Sequence, residues 1–178
     1  DRIVLAANLV RGGAIDTDWA VVRLTADGDV DATFADAGVF SLDLGMVNNT
    51  ARGISILADG SIIASGYYTP GTPVGAPVTP VMYKLDDAGD LVTAFSGDGI
   101  YEEVILAAQT EIYGVGIQGG SLVTAGYGRS DGPGDNDFVS LRVDATTGVR
   151  DLTYGNNGAL GYMLLTGFDF GDNARGVL

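Results

Sequence analysis

The sequence predicts an all-β fold, and three observations support this prediction. Glycine makes up 28 of the 178 residues, well above the average share of roughly 7%. Among the 23 acidic residues, only Glu102, Glu103 and Glu111 are glutamates. The others are aspartates, and Asp and Gly favour turns, whereas a surface helix favours Glu, Lys and Ala. Four short motifs also recur three times in the same order, which is typical of a repeat architecture.

The repeats are offset by about 60 residues. The strands that end in small residues are 2–7, 61–66 and 121–126, and the cations at the centre of the next strand are Arg23, Lys84 and Arg142. The aromatic residues that precede a glycine by four positions are Phe34, Phe95 and Tyr154, and the glycines that open a further apolar stretch are Gly53, Gly114 and Gly176. The repeats therefore cover approximately 1–58, 59–118 and 119–178 of a single domain, 1–178.

Each repeat contains the pattern of four short strands. The predicted strands of the second repeat are 51–58, 61–68, 80–86 and 90–95, the last continuing past Gly99 over 100–104. Two strands joined by Asp59-Gly60 are the strongest short-range signal for a β-hairpin. Four antiparallel strands in every repeat describe the blades of a β-propeller. The predicted fold is therefore an all-β β-propeller segment of about three four-stranded antiparallel blades.

These motifs resemble the delta-60 repeat of bacterial β-propeller proteins. The matching residues are Asp59-Gly60, Ser65-Gly66, Arg23-Leu24, Asp27-Gly28, and Asp31-Ala32-Thr33-Phe34 with Gly38. The third repeat departs from the pattern, because it has Thr147-Gly148 in the turn and Asp151-Leu152-Thr153-Tyr154 after it. The resemblance extends over nearly the whole chain. It implies a propeller but no activity, because the family has no shared catalytic residues.

The positions of the termini predict strand-permuted blades. Asp1 aligns with Gly60, directly before the second strand of a blade, and 173–178 matches the first strand of a blade. Two interpretations of this arrangement are open. Neighbouring repeats of a longer polypeptide complete the terminal blades, or a second copy does so and two chains form six blades.

Composition argues against several classes of function. The net charge of −14 and the pI near 4.1 argue against nucleic acid as a partner and against binding to an anionic membrane surface. No apolar run is long enough to predict insertion into a membrane. The absence of His and Cys removes imidazole bases, thiol nucleophiles and Cys/His zinc sites. We therefore expect no enzymatic activity, and a hydrolase that uses only carboxylates is the remaining catalytic alternative.

One loop contains the residue types of a calcium site. Residues 129–137 include Asp131, Asp135, Asn136 and Asp137, whose oxygens are ligands that Ca²⁺ prefers. The alternative is a polar turn cluster, because no glutamate closes the loop as in an EF-hand. No other cofactor is predicted.

Two tyrosines near the loop ends of the second strands, Tyr68 and Tyr127, are candidates for stacking on a sugar. The alternative is that aromatic residues pack between blades. The repeated cations are expected to pair with turn carboxylates, and a ring of arginines that faces a central channel and binds an anion is the alternative.

The predicted function is a non-catalytic scaffold that mediates interaction with a protein or a glycan. We expect it to be extracellular or on the cell surface, from the resemblance and the acidic composition. A lectin-like propeller and a carboxylate-based hydrolase are the alternatives.

Overall fold

The computed structural model describes residues 1–10, 17–45, 48–71, 73–130, 134–166 and 174–177. These residues form eleven strands and one turn of 3₁₀ helix at Gly158–Leu160. The strands are β1 (Arg2–Val10), β2 (Thr17–Thr25), β3 (Val39–Leu42), β4 (Asn48–Ile56), β5 (Ile62–Thr69), β6 (Thr79–Leu85), β7 (Ile100–Glu102), β8 (Gln109–Gln118), β9 (Ser121–Arg129), β10 (Asp137–Asp144) and β11 (Tyr162–Leu165). In the described parts of the chain, no helix is long and apolar enough to cross a bilayer.

The strands pair as three antiparallel meanders, which we call the first unit (β1–β3), the second unit (β4–β7) and the third unit (β8–β11). Single parallel bridges connect successive units, at Thr17 with Asn48 and at Val78 with Gln109. The first unit contains the counterparts of the last three strands of the other two. The prediction of an all-β chain with four-stranded antiparallel repeats is therefore confirmed for the second and third units.

The turns form where the sequence predicts them. In the hairpin between β4 and β5, the carboxylate of Asp59 accepts a hydrogen bond from the amide of Ser61 at 2.9 Å. Gly60 follows Asp59 with a φ of +88°, which glycine adopts without the steric cost of a side chain. Asp-Gly therefore ends one strand and reverses the chain into the next.

The predicted fourth strand is wrong over 90–95, whereas its predicted continuation over 100–104 contains the outer strand of the second unit, β7. The chain turns before β7 instead, because the amide of Phe95 bonds to the carbonyl of Val92 at 2.9 Å. Ser96, Gly97 and Gly99 then have positive φ, which an extended strand does not accommodate. This turn buries the ring of Phe95 completely.

Two apolar cores hold the units together, one at each junction. The core between the first and second units contains Trp19 stacked on Tyr83, with ring centroids 5.4 Å apart. The core between the second and third units contains Ile63, Met82 and Phe95 from one side. Successive strand residues alternate between the two faces of a sheet, so the second unit contributes to both cores. This explains why its central strand β6 is buried along its whole length.

Each junction also has the same polar contacts. The amide of Ala35 donates to the carbonyl of Ala88 at 2.7 Å. The amide of Ser96 donates to the carbonyl of Thr147 at 2.8 Å. The repeated cations Arg23 and Lys84 also donate hydrogen bonds to the following unit. Arg23 donates to the backbone carbonyl of Asp87 in the next unit. Lys84 donates to the carbonyl of Ala145 at 2.9 Å.

The prediction that the repeated cations pair with turn carboxylates holds for both arginines. Arg23 donates to Asp31 and Arg142 donates to Asp151, in each case from Nε to Oδ2 at 2.9 Å. The second unit has Val92 at the equivalent position. Its buried Lys84 bonds to the carbonyl of the next unit instead.

Candidate functional site

The first strands of the second and third units each contain one bulged residue. The pairing of β4 with β5 shifts at Arg52, and the pairing of β8 with β9 shifts at Tyr113. A β-bulge places one extra residue opposite its partner strand and redirects the side chain. Arg175 occupies the same position of the repeat in the described segment 174–177. The two bulged residues and Arg175 therefore occupy one position in three successive repeats.

Glycine in the partner strand makes room for each bulge. A Cβ atom at Gly66 would overlap the carbonyl oxygen of Thr50, and one at Gly126 would overlap that of Glu111. The first strands of neighbouring units also approach closely at the repeated glycines. A Cβ at Gly53 would lie 3.2 Å from the Cα of Gly114. The small residues that define the repeat thus allow close approach of the strands.

The redirected side chains form a stack of rings and guanidinium groups. Arg52 lies 4.7 Å from the ring centroid of Tyr113, and Arg175 lies 4.9 Å from the same centroid. The ring of Tyr113 is 6.1 Å from that of Tyr67 and 5.4 Å from that of Tyr127. Such contacts between cations and aromatic faces are attractive at these distances. We call these five residues the Arg–Tyr cluster.

Hydrogen bonds fix the rings of the Arg–Tyr cluster. Arg52 donates to the hydroxyl of Tyr67 at 2.9 Å, and Tyr127 donates to Oε2 of Glu111 at 2.7 Å. The hydroxyls of Tyr113 and Tyr127 are 3.3 Å apart. Burial raises the pKa of Tyr67 to about 12. Burial, followed by the bonds to Tyr113 and Glu111, raises the pKa of Tyr127 further above its usual value. Both phenols therefore keep their protons at neutral pH.

The charges of the cluster are unusual for this chain. Two guanidinium groups contact one ring, and Glu111, which is 8% exposed, acts electrostatically on Arg52. Within the described part of the chain, no carboxylate pairs with Arg52 within 4 Å, although the net charge is −14. Arg52 and Arg175 are both exposed to solvent.

The two predicted tyrosines lie in different places. Tyr127 belongs to the Arg–Tyr cluster, whereas Tyr68 packs against the core of the first junction. The counterpart of Tyr127 is Tyr67, because Gly66 and Gly126 precede them at equivalent positions of β5 and β9. Neighbouring residues of a strand point to opposite faces. The alignment of these glycines is the sequence signal that would have selected Tyr67.

Tyr68 lines a separate open pocket of about 440 Å³ at the loop end of the second unit. The pocket combines an aromatic ring, two prolines and the exposed carboxylate of Glu102. Its lining residues are Leu44, Tyr68, Pro70, Ala76, Pro77, Thr79, Glu102 and Val104.

The predicted calcium loop is described in part. Asp131 lies outside the described residues. Asp135 is exposed, the side-chain oxygen of Asn136 accepts a hydrogen bond from Gln109 at 3.1 Å, and Asp137 begins β10. Within the described ranges, no three carboxylates lie close enough together to hold a metal ion. Calcium binding by this loop stays a prediction.

The carboxylates with displaced pKa values all shift downward in the part of the chain that the structure describes. The Thr33 hydroxyl lowers the pKa of Asp31, and the amide of Ser61 lowers that of Asp59. The pKa of Asp144 is lowered in the same way, by the amide and hydroxyl of Thr147. These acids remain ionised and accept hydrogen bonds that close turns. A general acid of a glycosidase requires the opposite shift.

A family model described as "Domain of unknown function (DUF5122) beta-propeller" matches residues 1–34. The matched segment contains β1, β2 and the turn at Asp31 that ends in Phe34. The match supports a β-propeller family. No match to a curated protein was found.

Proposed function

We propose that this chain is a non-catalytic β-propeller scaffold of the delta-60 type, in which each unit is a blade. The scaffold packs a further blade onto its open faces and presents its loops to a protein or glycan partner. The family match over 1–34 and the repeated junctions support this assignment.

The observation that carries the proposal is a set of equivalent faces. On each unit, four residues face the following unit, and we call them the trailing face. In chain order these residues are Val4, Val21, Phe34 and Phe40, then Ile63, Met82, Phe95 and Tyr101, then Val123, Ser140, Tyr154 and Met163. The next unit covers the first two faces. The third lines an open pocket of about 350 Å³.

The first unit offers the complementary surface. The residues that would face a preceding unit include Ile3 and Leu5, each 44% exposed, and Val30, 55% exposed. Their counterparts in the second unit include Ile62 and Ala64, which are buried in the first junction. Exposed apolar residues that form a contiguous face mark an interaction site. The open trailing face of one chain can therefore pack on this surface of the first unit of another, as two successive units pack within one chain.

Solution mass tests whether a second copy supplies the missing blade. Light scattering after size exclusion should give twice the chain mass of 18.3 kDa. Val123→Lys on the trailing face and Leu5→Lys on the first unit should each yield monomers. An equimolar mixture of the two variants should restore a dimer, because one unaltered pair of faces remains.

Val74→Lys is the matched control, since Val74 is 97% exposed and lies outside both faces. A monomeric wild-type chain would contradict assembly from a second copy. Neighbouring repeats of a longer polypeptide would then supply the further blades. Two variants that fail to complement each other, beside a dimeric wild type, would contradict the pairing of these two faces.

The Tyr68 pocket favours a lectin-like function as the second candidate. A tyrosine ring beside a carboxylate and a threonine offers both a stacking surface and hydrogen-bonding groups for a sugar. Binding on a glycan array that is lost with Tyr68→Ala would support this function. An array without any bound glycan would contradict it.

The proposal also includes the absence of catalysis and an extracellular or cell-surface location. Turnover of any substrate in a broad glycoside panel, lost with a single carboxylate substitution, would contradict the first. Detection of the protein only inside its source cells would contradict the second.

A further inference from the structure

We propose that the Tyr68 pocket receives a lysine side chain of a protein partner, whose ammonium group pairs with the carboxylate of Glu102. The inference rests on the proposed function, because it chooses a protein over a glycan as the partner that the loops bind. The lining residues come from both of the first two units, with Leu44 after β3, Tyr68 in β5 and Glu102 in β7. The volume of about 440 Å³ lies within the range of roughly 300–1,000 Å³ that is common for ligand sites.

The first argument concerns the space, which is filled at the equivalent place of the second junction. The repeat aligns Gly45 with Leu106 and Tyr68 with Gly128. Leu106 is 3% exposed and belongs to the core of the second junction, where a Cβ at Gly128 would lie 2.8 Å from its Cδ1. Gly45 has no side chain to place against the ring of Tyr68. The pocket therefore suits an apolar group about as large as a leucine side chain.

The second argument concerns charge. Among the described residues that line the pocket, Glu102 is acidic and none is basic. Glu102 is exposed, and no cation of the described residues pairs with it within 4 Å, whereas the adjacent Glu103 pairs with Arg150 at 2.6 Å. In the pairing with the central strands, Glu102 corresponds to Ser41 and Leu164, so the carboxylate is particular to the second unit. A cation complements this pocket.

The third argument concerns the chemistry that meets both requirements. A lysine side chain carries its ammonium group on a flexible four-carbon stem. Such a stem packs along apolar surface while the charged end stays in water. Leu44 and Val104 offer apolar contacts, and the ring of Tyr68 attracts a cation near its face. Arginine has a shorter apolar stem and a larger polar end, so it fills the space of a leucine less well.

A neutral sugar fits the pocket less well, although the second candidate function places one there. It would leave Glu102 without an opposite charge. It would also bring hydroxyl groups against Leu44 and Val104, and a hydroxyl that loses water without gaining a hydrogen bond is unfavourable. The stem of a lysine has no such groups, so the pocket favours a protein partner.

The surroundings of the pocket also suit a protein. Val104 is 53% exposed at the pocket, and Val74 is 97% exposed in the loop that contributes Pro70, Ala76 and Pro77 to the lining. Exposed apolar side chains beside a pocket can contact the residues that flank an inserted lysine. The two prolines fix their own φ angles, so the loop loses less conformational freedom when a partner binds.

Titration of the whole chain with matched peptides, followed by nuclear magnetic resonance, tests the inference. Each peptide has blocked ends and one central residue between alanines. The lysine peptide should shift the amide signals of Thr79 and Glu102. It should bind at least about fivefold more tightly than the acetyl-lysine peptide, which lacks the charge that pairs with Glu102. It should also bind more tightly than a peptide with 2,4-diaminobutyrate, which keeps the charge on a shorter stem.

Variants locate the binding in the pocket. Glu102→Gln should weaken the lysine peptide by at least about fivefold, since it removes a charge-assisted hydrogen bond. Asp29→Asn makes the same change of charge at an exposed position in the turn after β2 and should have no effect. Ala76→Leu adds a leucine side chain to the lining and should also weaken binding. Tyr68→Phe keeps the ring and should retain most of the affinity.

Three results would overturn the inference. The first is no measurable binding of the lysine peptide, and a glycan that shifts the signals of Thr79 and Glu102 instead would support the lectin-like function. The second is equal binding of the lysine peptide and either control peptide. The third is equal weakening by Glu102→Gln and Asp29→Asn, which would indicate general attraction to negative charge. Thermal melting of each variant separates loss of binding from loss of folding. Solution mass tests the assembly of blades independently, so these failures leave that part of the proposed function intact.

Discussion

The trailing faces of the second and third units occupy equivalent positions and differ in polarity. Met82 and Phe95 are completely buried at the covered face. Their counterparts at the open face are Ser140 and Tyr154, whose hydroxyls form a hydrogen bond of 2.9 Å. A buried hydroxyl needs a partner, and this pair satisfies itself without help from a neighbouring unit.

The comparison shows what a repeat preserves and what it adapts. The order and antiparallel pairing of the strands are the same in both units, although the third unit has a turn of 3₁₀ helix before its outer strand. The polarity of the side chains differs instead, according to whether the next unit covers the face. The polar pair lowers the cost of exposure at the third unit.

The largest expected difference between the faces is in the cost of removing the aromatic ring. Phe95→Ala should lower the free energy of unfolding by about 3–5 kcal/mol, because the ring is completely buried. Tyr154→Ala should lower it by about 1 kcal/mol, because the ring is partly exposed. Urea denaturation of both variants measures the two values. Equal losses would mean that the open face is covered in solution.

The space around the turn glycines on the opposite side of each unit can be compared in the same way. Gly148 and Gly28 both have positive φ, but a Cβ at Gly148 would overlap Ser96, whereas nothing lies within 4 Å of one at Gly28. Gly148→Ala should therefore destabilise the chain by about 2–4 kcal/mol and Gly28→Ala by about 1–2 kcal/mol. Thermal or urea unfolding distinguishes them. A larger loss at Gly28 would show that another unit contacts this turn.

The smallest expected effect is a dependence of stability on pH, which arises from Asp151 in the third unit. Hydrogen bonds from the Thr153 hydroxyl and then from Arg142 lower the pKa of Asp151 from 3.8 to about 2. The contribution of the ionised carboxylate to stability is therefore complete above pH 3.8 and is lost as the pH falls through about 2.

Asp151→Asn should lower the urea midpoint at pH 7, and the difference from wild type should shrink between pH 3.8 and 2. The second unit has Val92 at this position and supplies an internal contrast. A difference that persists unchanged at pH 2 would show that Asp151 acts through packing and not through its charge.

Local signals made much of the fold predictable. Asp59-Gly60 determines the hairpin through a single side-chain bond to Ser61, so the turn is encoded by adjacent residues. The turn that precedes β7, where a strand was predicted over 90–95, was harder, because Ser96 adopts positive φ in it. That conformation is stabilised by a bond to Thr147 of the next unit, which lies far away in the sequence.

The candidate site was predictable only in part, for a related reason. Tyr127 could be selected from its position in a strand, but the choice between Tyr67 and Tyr68 depends on which face of β5 meets the next unit. The sequence repeat places Arg52, Tyr113 and Arg175 at one position. Their convergence also requires the bulges, and no local sequence pattern predicts those.

In the first unit, an alanine takes the place of the glycine that accommodates the bulge in the other two units. Ala7 stands in β1 where Gly66 stands in β5 and Gly126 in β9. A methyl group at this position would overlap the carbonyl of a bulged neighbour, as it would at the two glycines. Any strand that pairs with the free edge of β1 must therefore run without the bulge there. Units that share one topology are then not interchangeable, because a strand that pairs with β1 at Ala7 could not present a bulged side chain as β4 and β8 do.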